Sequence, residues 1–590
     1  MRHPLYLSII LGALSVSAQT IPDRVLTPDV DAFIEGILSA VGSPGGVSVA
    51  VVRLDPSGHW NVETKGYGIA RLSDNASVTA DTLFPIGSNS KLFTVVGTGL
   101  LISNESLTPR LSWETKLGSV IPDWKLADSF ATDKSSIVDL MGHRTGLPRH
   151  DFMYRTDDTF DSVARRVRFL KPSTEFRETF QYNNIMYSML SYLPEAASTK
   201  TPLARYVKKN VFDPLGMDST TYSFDVANAG GKLSYGVSRE NLSFADGLPG
   251  TGIPRQLSFW YEKGGEDGNF MSGAGGVISS ANDMATWLKT LLLWGKHPET
   301  NQTVIPSAVL QRAASGITVA ADGISGLPIA QSVLSPVVYG GGQETGTYRG
   351  HVIIEHDGGV NGAYSQLSRL PFDNVGVAVL TNDDDTGPIF NEIIKYRLID
   401  EALGLEPYNW TGIILEQLGQ TSGASPVATP GNASDPTIPG GFAALEGTYN
   451  NLGYGNWQLC LFTPSHQPSD ACKELVANAS TILPGVINST IPTLLSPSSS
   501  VWFNYLKLEH VDRNVFSITG LFSYPTLNDT KQPFWTKVSN APGLKAEFFS
   551  LNGTIGVGFS GGIWGAGSGV PDPQGDNPQD RSEIWMEKIA

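Results

Sequence analysis

The sequence predicts an α/β sandwich carrying an all-α insertion, followed by a separate all-β domain. Three observations lead there. Strand-like apolar runs stand near both ends of the segment 27–403. The stretch between them, from about 100 to 340, shows mostly helical periodicity and long loops. A passage rich in Gly, Ser, Thr, Pro and Ala then separates this unit from a strand-rich remainder.

The elements follow in chain order. Residues 27–41 place Val30, Phe33, Ile34, Ile37 and Leu38 along one side of a helix. Val47–Arg53 and Trp60–Ala70 read as strands around Asp55-Pro56-Ser57-Gly58. A helix opens near Ser88 and continues through Lys91, Leu92, Val95, Val96, Leu100 and Leu101. Strands return at His351–Glu355, Tyr364–Leu370 and Val375–Leu380, and Ile389–Leu403 is the last helix of the unit. Residues 418–440 have linker composition. Beyond them Trp457–Phe462, Val501–Leu508, Val515–Phe522 and Ile555–Phe559 read as strands. The expected organisation is a signal peptide at 1–18, a catalytic unit at 19–417, a linker at 418–440 and a β domain at 441–590.

With 590 residues the chain exceeds one small module. Its net charge of −16 repels phosphate backbones and anionic membrane surfaces, so nucleic acid is not an expected partner. Met1-Arg2-His3, the apolar run Leu5 to Ala13 and the small residues Val16-Ser17-Ala18 read as a secretory signal cut after Ala18. The run is shorter than the roughly 20 residues a bilayer requires, and no later run is long enough, so no membrane insertion is expected. Asn-x-Ser/Thr sequons at Asn75, Asn104, Asn241, Asn301, Asn409, Asn432, Asn478, Asn488, Asn528 and Asn552 add to a picture of a glycosylated, secreted product. Cys460 and Cys472 are the only cysteines, and in an oxidising compartment they are expected to form a local disulfide. Only His466 lies between them among histidines, which leaves a metal site short of ligands.

The chain has no Gly-x-Ser-x-Gly and no His-Glu-x-x-His. It does have Gly87-Ser88-Asn89-Ser90-Lys91, in which Ser88 and Lys91 share one face of a helix start. A serine hydroxyl needs a base, and a lysine amine made neutral by burial and neighbouring cations can be one. Taken alone, the same residues read as a helix cap and a solvated lysine. Tyr182 and Asn184 follow in FQYNNIMYSML: a phenol near a lysine can relay a proton, and an amide can hold the lysine or a substrate carbonyl. Then come His356, Asp357, Gly358 and Gly359, where glycines allow close backbone approach and an N–H can serve an oxyanion hole beside that of Ser88. Trp260, Trp287 and Trp294 read as core, His143 as structural, and Asp383-Asp384-Asp385 as a solvated loop. Neither a phosphate-binding loop nor a metal cluster is present in the pattern, so no cofactor is expected.

These three motifs occur in order, within the stretches TLFPIGSNSKLFT, DLMGHRTGLPRHD, FQYNNIMYSML, SGAGGVISSANDMATWL and IIEHDGGVNGAYSQLSRLP. The set resembles the serine β-lactamase/penicillin-binding family, in its class C β-lactamase-like and esterase-like branch, over most of 27–403. The β domain lies outside the β-lactamase fold and looks like the extra C-terminal domain of fungal secreted relatives. The resemblance implies Ser88 as nucleophile, Lys91 as its proton acceptor or as the group that tunes it, Tyr182 as general acid/base, and Asn184 as the residue that positions Lys91 and substrate. It implies an oxyanion hole from the N–H groups of Ser88 and Gly359, with His356, Gly358 and Gly359 lining the substrate site. His356 stands where lactamases of the family carry a lysine, and Asp357 where a small residue is usual, so strong β-lactamase activity is not expected. The expected function is a secreted serine hydrolase cleaving a small-molecule ester, lactone or amide. The alternatives are an acyltransferase of the same fold in secondary metabolism, or a non-catalytic binding protein. Oligomeric state is open.

Overall fold

The computed structural model describes residues 23–589 apart from 246, 260–263, 321–332, 422–433, 465, 527–530, 540–542, 552 and 568. The expected signal peptide, part of the expected linker, Trp260, and the sequons at Asn432, Asn528 and Asn552 lie outside the described residues.

A nine-stranded antiparallel sheet organises the first unit. Its order is Ala76–Ser77, Trp60–Arg71, Gly46–Leu54, Val375–Thr381, Ala363–Leu370, His351–Val360, Glu344–Tyr348, Val337–Tyr339 and Thr318–Ala320. The two ends of the segment meet at its centre, where Val49 pairs with Val379. Both central strands are buried on each face, which explains their unbroken apolar runs. The helices Pro28–Val41 and Gly387–Leu403 pack Val30, Ile34, Phe390 and Ile394 against one face. On the other side, Trp287 of the helix Ala281–Leu292 stacks on Phe93 at 4.5 Å. The helix Pro28–Val41 starts where the pattern placed it, because the Thr27 side chain caps Val30 N and Pro28 needs no donor there.

Two differences from the expected elements bear on the site. The strand expected to end at Glu355 continues to Val360, pairing Gly358 with Ser365 and Gly359 with Tyr364. A β-carbon on Gly358 would stand 2.0 Å from the Ile86 carbonyl oxygen, so only glycine lets this strand lie against the turn before Ser88. The run Asp383-Asp384-Asp385 is not a solvated loop. Asp383 accepts from Ser43 Oγ at 2.5 Å, Asp384 accepts from Gly362 N and meets Lys537, and Asp385 accepts from Ser238 Oγ and Arg239 N. These partners are scattered along the chain, and together they satisfy carboxylates that would otherwise be costly to bury.

The helix Trp410–Thr421 runs past residue 417 and is anchored by Trp410, stacked on Tyr396 at 4.5 Å. The C-terminal part forms a second sheet. Tyr505–Asp512 pairs both with Thr493–Pro497 and with Val515–Pro525, so eight strands close into a barrel and Phe534–Ser539 hangs on its rim. Leu506, Leu508 and His510 alternate inward along Tyr505–Asp512. Cys460, on the strand Gly455–Phe462, is disulfide-bonded to Cys472 at the start of the helix Lys473–Ile482. The strand expected from Val501 begins only at Tyr505; the residues before it turn toward the catalytic unit, where Asn361 Nδ2 donates to Val501 O at 2.8 Å.

The two units share an apolar seam. One buried cluster runs from the helical insertion into the barrel, and Phe152 meets Phe503 edge-on at 4.9 Å. Polar contacts flank it: His150 N donates to Trp564 O, Thr156 N to Ser499 O, and Gly567 N to Gln181 Oε1.

Candidate active site

Ser88 sits in the tight turn Gly87–Asn89, and the helix Ser90–Ser103 follows directly. The turn demands φ +51° at Gly87, a left-handed value that favours glycine. Asn89 Nδ2 donates to Ser365 Oγ, and Ser365 Oγ donates to Ile86 O, which pins the turn to the sheet. Ser88 is thus held half-exposed at the mouth of an otherwise buried helix.

Lys91 is not a solvated lysine. It is fully buried, and its Nζ lies 2.8 Å from each of Ser88 Oγ, Asn184 Oδ1 and Ala274 O. A neutral amine has two N–H donors and one lone pair. Two of these contacts are to pure acceptors, so the lone pair is left facing the Ser88 hydroxyl. Burial, with Arg149 nearby, pushes the Lys91 ammonium well below the usual lysine range, while Asp151 and Asp357 oppose this. The arrangement can therefore take a proton from Ser88.

Tyr182 completes the group: its hydroxyl donates to Ser88 Oγ at 2.7 Å. His143 packs against its ring, tilted by 36° with centroids 4.5 Å apart, and burial disfavours the charged form of His143. Asn183 N donates to His143 Nδ1 at 3.0 Å, fixing the backbone between Tyr182 and Asn184. Asn184 donates through Nδ2 to Asp151 Oδ1 at 3.2 Å, which turns its carbonyl toward Lys91.

Gly359 N lies beside the nucleophile turn, since a β-carbon on Gly87 would reach it at 2.7 Å. The N–H groups of Ser88 and Gly359 therefore come from adjoining backbone, as an oxyanion hole requires. His356 is only 4% exposed; its Nδ1 donates to the Asp357 carbonyl and its Nε2 lies 3.0 Å from Tyr339 O–H. Burial lowers its tendency to be charged. Both ring nitrogens are thus used inside the protein. The Asp357 side chain, by contrast, is 74% exposed.

Ser88, Lys91, Tyr182, Asn184, His356, Gly358 and Gly359 converge on one site, although they come from three separated stretches. Sequence reasoning missed Arg149, Asp151, Tyr154 and Trp502. Arg149 Nε donates to Asp151 Oδ2 at 2.6 Å, Tyr154 O–H to Asp151 Oδ1 at 2.6 Å, and Trp502 Nε1 to Tyr154 Oη at 3.0 Å. The first three lie in or beside the stretch DLMGHRTGLPRHD, which was the signal available for them. Among the described residues no cluster of His, Cys, Asp and Glu is arranged to hold a metal ion.

Comparisons with known proteins agree with this architecture. The family model described as Beta-lactamase matches residues 32–401. The unguisins hydrolase of Aspergillus violaceofuscus is 30% identical over 472 residues, which is 75% of this chain and 78% of that protein. The unguisins hydrolase of Aspergillus campestris is 32% identical over 376 residues, 62% of this chain and 64% of that one. The octameric penicillin-binding protein homologue from Pyrococcus abyssi shares the fold, with a TM-score of 0.53 at 16% identity over 90% of this chain and 97% of its own. The family match takes in the sheet, the helical insertion and every candidate catalytic motif, and the chain accordingly belongs to the beta-lactamase family, as a serine hydrolase with an added C-terminal β-barrel.

Proposed function

We propose that this protein is a secreted hydrolase that cleaves a small-molecule ester, lactone or amide through an acyl-enzyme on Ser88. The observation that carries this reading is the contact of Ser88 Oγ with both Lys91 Nζ and Tyr182 Oη. In acylation the Ser88 proton passes to the neutral Lys91 amine as Oγ adds to the substrate carbonyl. The oxyanion then meets the N–H groups of Ser88 and Gly359. Tyr182 gives its proton to the leaving group and is re-protonated from Lys91. In deacylation the same pair takes a proton from the attacking water and returns one to Ser88 Oγ, releasing the acid product. The two fungal relatives named as hydrolases favour water as the acceptor over a second alcohol or amine.

Secretion is supported by the disulfide, which suits an oxidising compartment, and by the sequons. All seven sequon asparagines among the described residues, Asn75, Asn104, Asn241, Asn301, Asn409, Asn478 and Asn488, are exposed, as a glycan requires. Among the described residues no helix is long and apolar enough to cross a membrane.

The test is a panel of p-nitrophenyl esters, D-amino-acid amides and a chromogenic cephalosporin, run on wild type and Ser88→Ala. Ester or amide turnover that vanishes in Ser88→Ala, with little cephalosporin turnover, is the expected result. Turnover that survives Ser88→Ala overturns the reading.

A further inference from the structure

The Lys91–Tyr182 pair must shed a proton before it can activate Ser88. Burial works against this at the phenol, pushing Tyr182 up. Positive charge near the ring offsets that cost, so the cations around Tyr182 decide how readily the pair works near neutral pH. Lys91 Nζ is 4.8 Å from the ring centroid, but Lys91 is itself the group that must become neutral. His143 and His356 also face the ring, with centroids at 4.5 and 6.3 Å, and burial disfavours the charged form of both. Tyr187 and Tyr339 are neutral neighbours, while Asp151 and Asp357 are the acidic ones.

Among the described residues one permanent cation remains in this environment. Arg149 Cζ stands 5.0 Å from the Tyr182 ring centroid. A guanidinium does not lose its proton in a protein. Its side chain is 38% exposed, so the desolvation that opposes its charge is partial, and the adjacent Asp151 overrides it. Its Nε donates to Asp151 Oδ2 at 2.6 Å.

The C-terminal barrel holds that cation in place. Arg149 N donates to Gly565 O at 3.3 Å. Gly565 has φ +67°, and a β-carbon there would come within 2.8 Å of Arg149 Cβ and 2.9 Å of its Cδ. The aliphatic stem of Arg149 therefore lies flat against barrel backbone that has room for no side chain. From the other side Trp502 fixes Tyr154, Tyr154 fixes Asp151, and Asp151 orients the guanidinium.

We propose that Arg149 is a positioning residue for proton transfer at Ser88, and that the C-terminal barrel serves the active site by presenting this guanidinium to the Tyr182 ring. The proposal rests on the acyl-enzyme reading above. A nearby cation favours proton loss from both the phenol and the Lys91 ammonium, so removing it must move the acid limb of reactivity to higher pH, whichever group titrates.

The experiment measures the rate at which an alkyl fluorophosphonate labels the Ser88 peptide, by mass spectrometry, from about pH 5 to about pH 10. The proteins are wild type, Arg149→Gln, Arg149→Lys and Gly565→Ala. Arg149→Gln is expected to shift the acid limb up by about one unit, labelling roughly tenfold more slowly near pH 7 and recovering toward wild type at the alkaline end. Arg149→Lys restores most of the profile because the charge returns. Gly565→Ala moves the limb the same way by less, because its β-carbon displaces the stem. Should Arg149→Gln fail to fold, Gly565→Ala decides the matter: an acid limb moved to higher pH supports the proposal, and one left at the wild-type position overturns it. An Arg149→Gln profile identical to wild type, or a rate loss in it equal at every pH, overturns the proposal. Wild type that takes no label at any pH overturns the acyl-enzyme reading, and this inference with it.

Discussion

Trp502 donates its indole N–H to the hydroxyl of Tyr154 at 3.0 Å, joining residues 348 positions apart in the chain. Tyr154 passes the connection to Asp151, Asp151 to Asn184, and Asn184 to the amine that touches Ser88. A hydrogen-bonded series thus leads from the barrel to Lys91 and Ser88. Such networks are rigid when every member is satisfied, and here each donor finds an acceptor.

Lys91 is expected to matter as an amine that can be neutral, not as a positive charge. Lys91→Arg keeps the charge but cannot present a lone pair to the Ser88 hydroxyl. Loss of general-base assistance by a positioned side chain costs about 10²–10⁴ in rate. Fluorophosphonate labelling of Ser88 should therefore fall at least a hundredfold. A Lys91→Arg protein that labels within tenfold of wild type would refute the assignment.

Gly87 should be intolerant of a methyl group for two reasons that can be separated. Its φ of +51° strains any L side chain, and its β-carbon would meet Gly359 N at 2.7 Å and Gly358 C at 2.9 Å, which are backbone atoms with little freedom to move. Gly58 has φ +85° with nothing within 4 Å of a β-carbon, so Gly58→Ala reports the strain alone. Gly58→Ala is expected to cost about 1 kcal/mol. Gly87→Ala adds about 1–3 kcal/mol of overpacking and displaces the oxyanion-hole strand. Chemical denaturation and ester turnover, measured side by side, check this. Equal stability losses with activity retained in both would contradict the geometry.

Asp139 makes stability depend on pH. It is fully buried, and it accepts from Arg177 at 2.8 Å through both oxygens, from Arg144 at 2.7 Å and from Ser136. Burial alone would raise its carboxyl, but the bonds from Arg177 and Ser136 and the two guanidinium charges hold it below the usual carboxylate range. A folded value below the unfolded one means this stabilisation is present above about pH 4 and fades as pH falls through the folded value. Asp139→Asn should cost about 2 kcal/mol at pH 7, less than a fully buried pair because Arg177 is 43% exposed. Urea titrations at pH 7 and near pH 3 should show the gap between variant and wild type closing in acid. A gap that stays constant would count against the assignment.

Much of the architecture was legible in the chain. The central strands announce themselves as unbroken apolar runs, and the residues of the Ser-x-x-Lys and Tyr-x-Asn motifs do meet in space. What escaped notice depends on distant partners. Asp383, Asp384 and Asp385 look like a solvated run because nothing local shows that Ser43, Arg239 and Lys537 will come to meet them. Residues 501–503 carry strand-like side chains, but Phe503 is spent on Phe152 across the seam, and the strand starts after it. Nothing near Arg149 in the chain shows that the turn at Gly565 will lie beneath its stem.

The apolar cluster that crosses from the helical insertion into the barrel makes the two halves thermodynamic partners. Heat should reach them together, giving one absorption peak in calorimetry instead of two. A chain stopped after the Trp410–Thr421 helix would leave Phe152 without Phe503 and turn an interior into a sticky exterior. The barrel is therefore expected to act as a standing chaperone for the hydrolase half, covering apolar surface which that half would otherwise present to water.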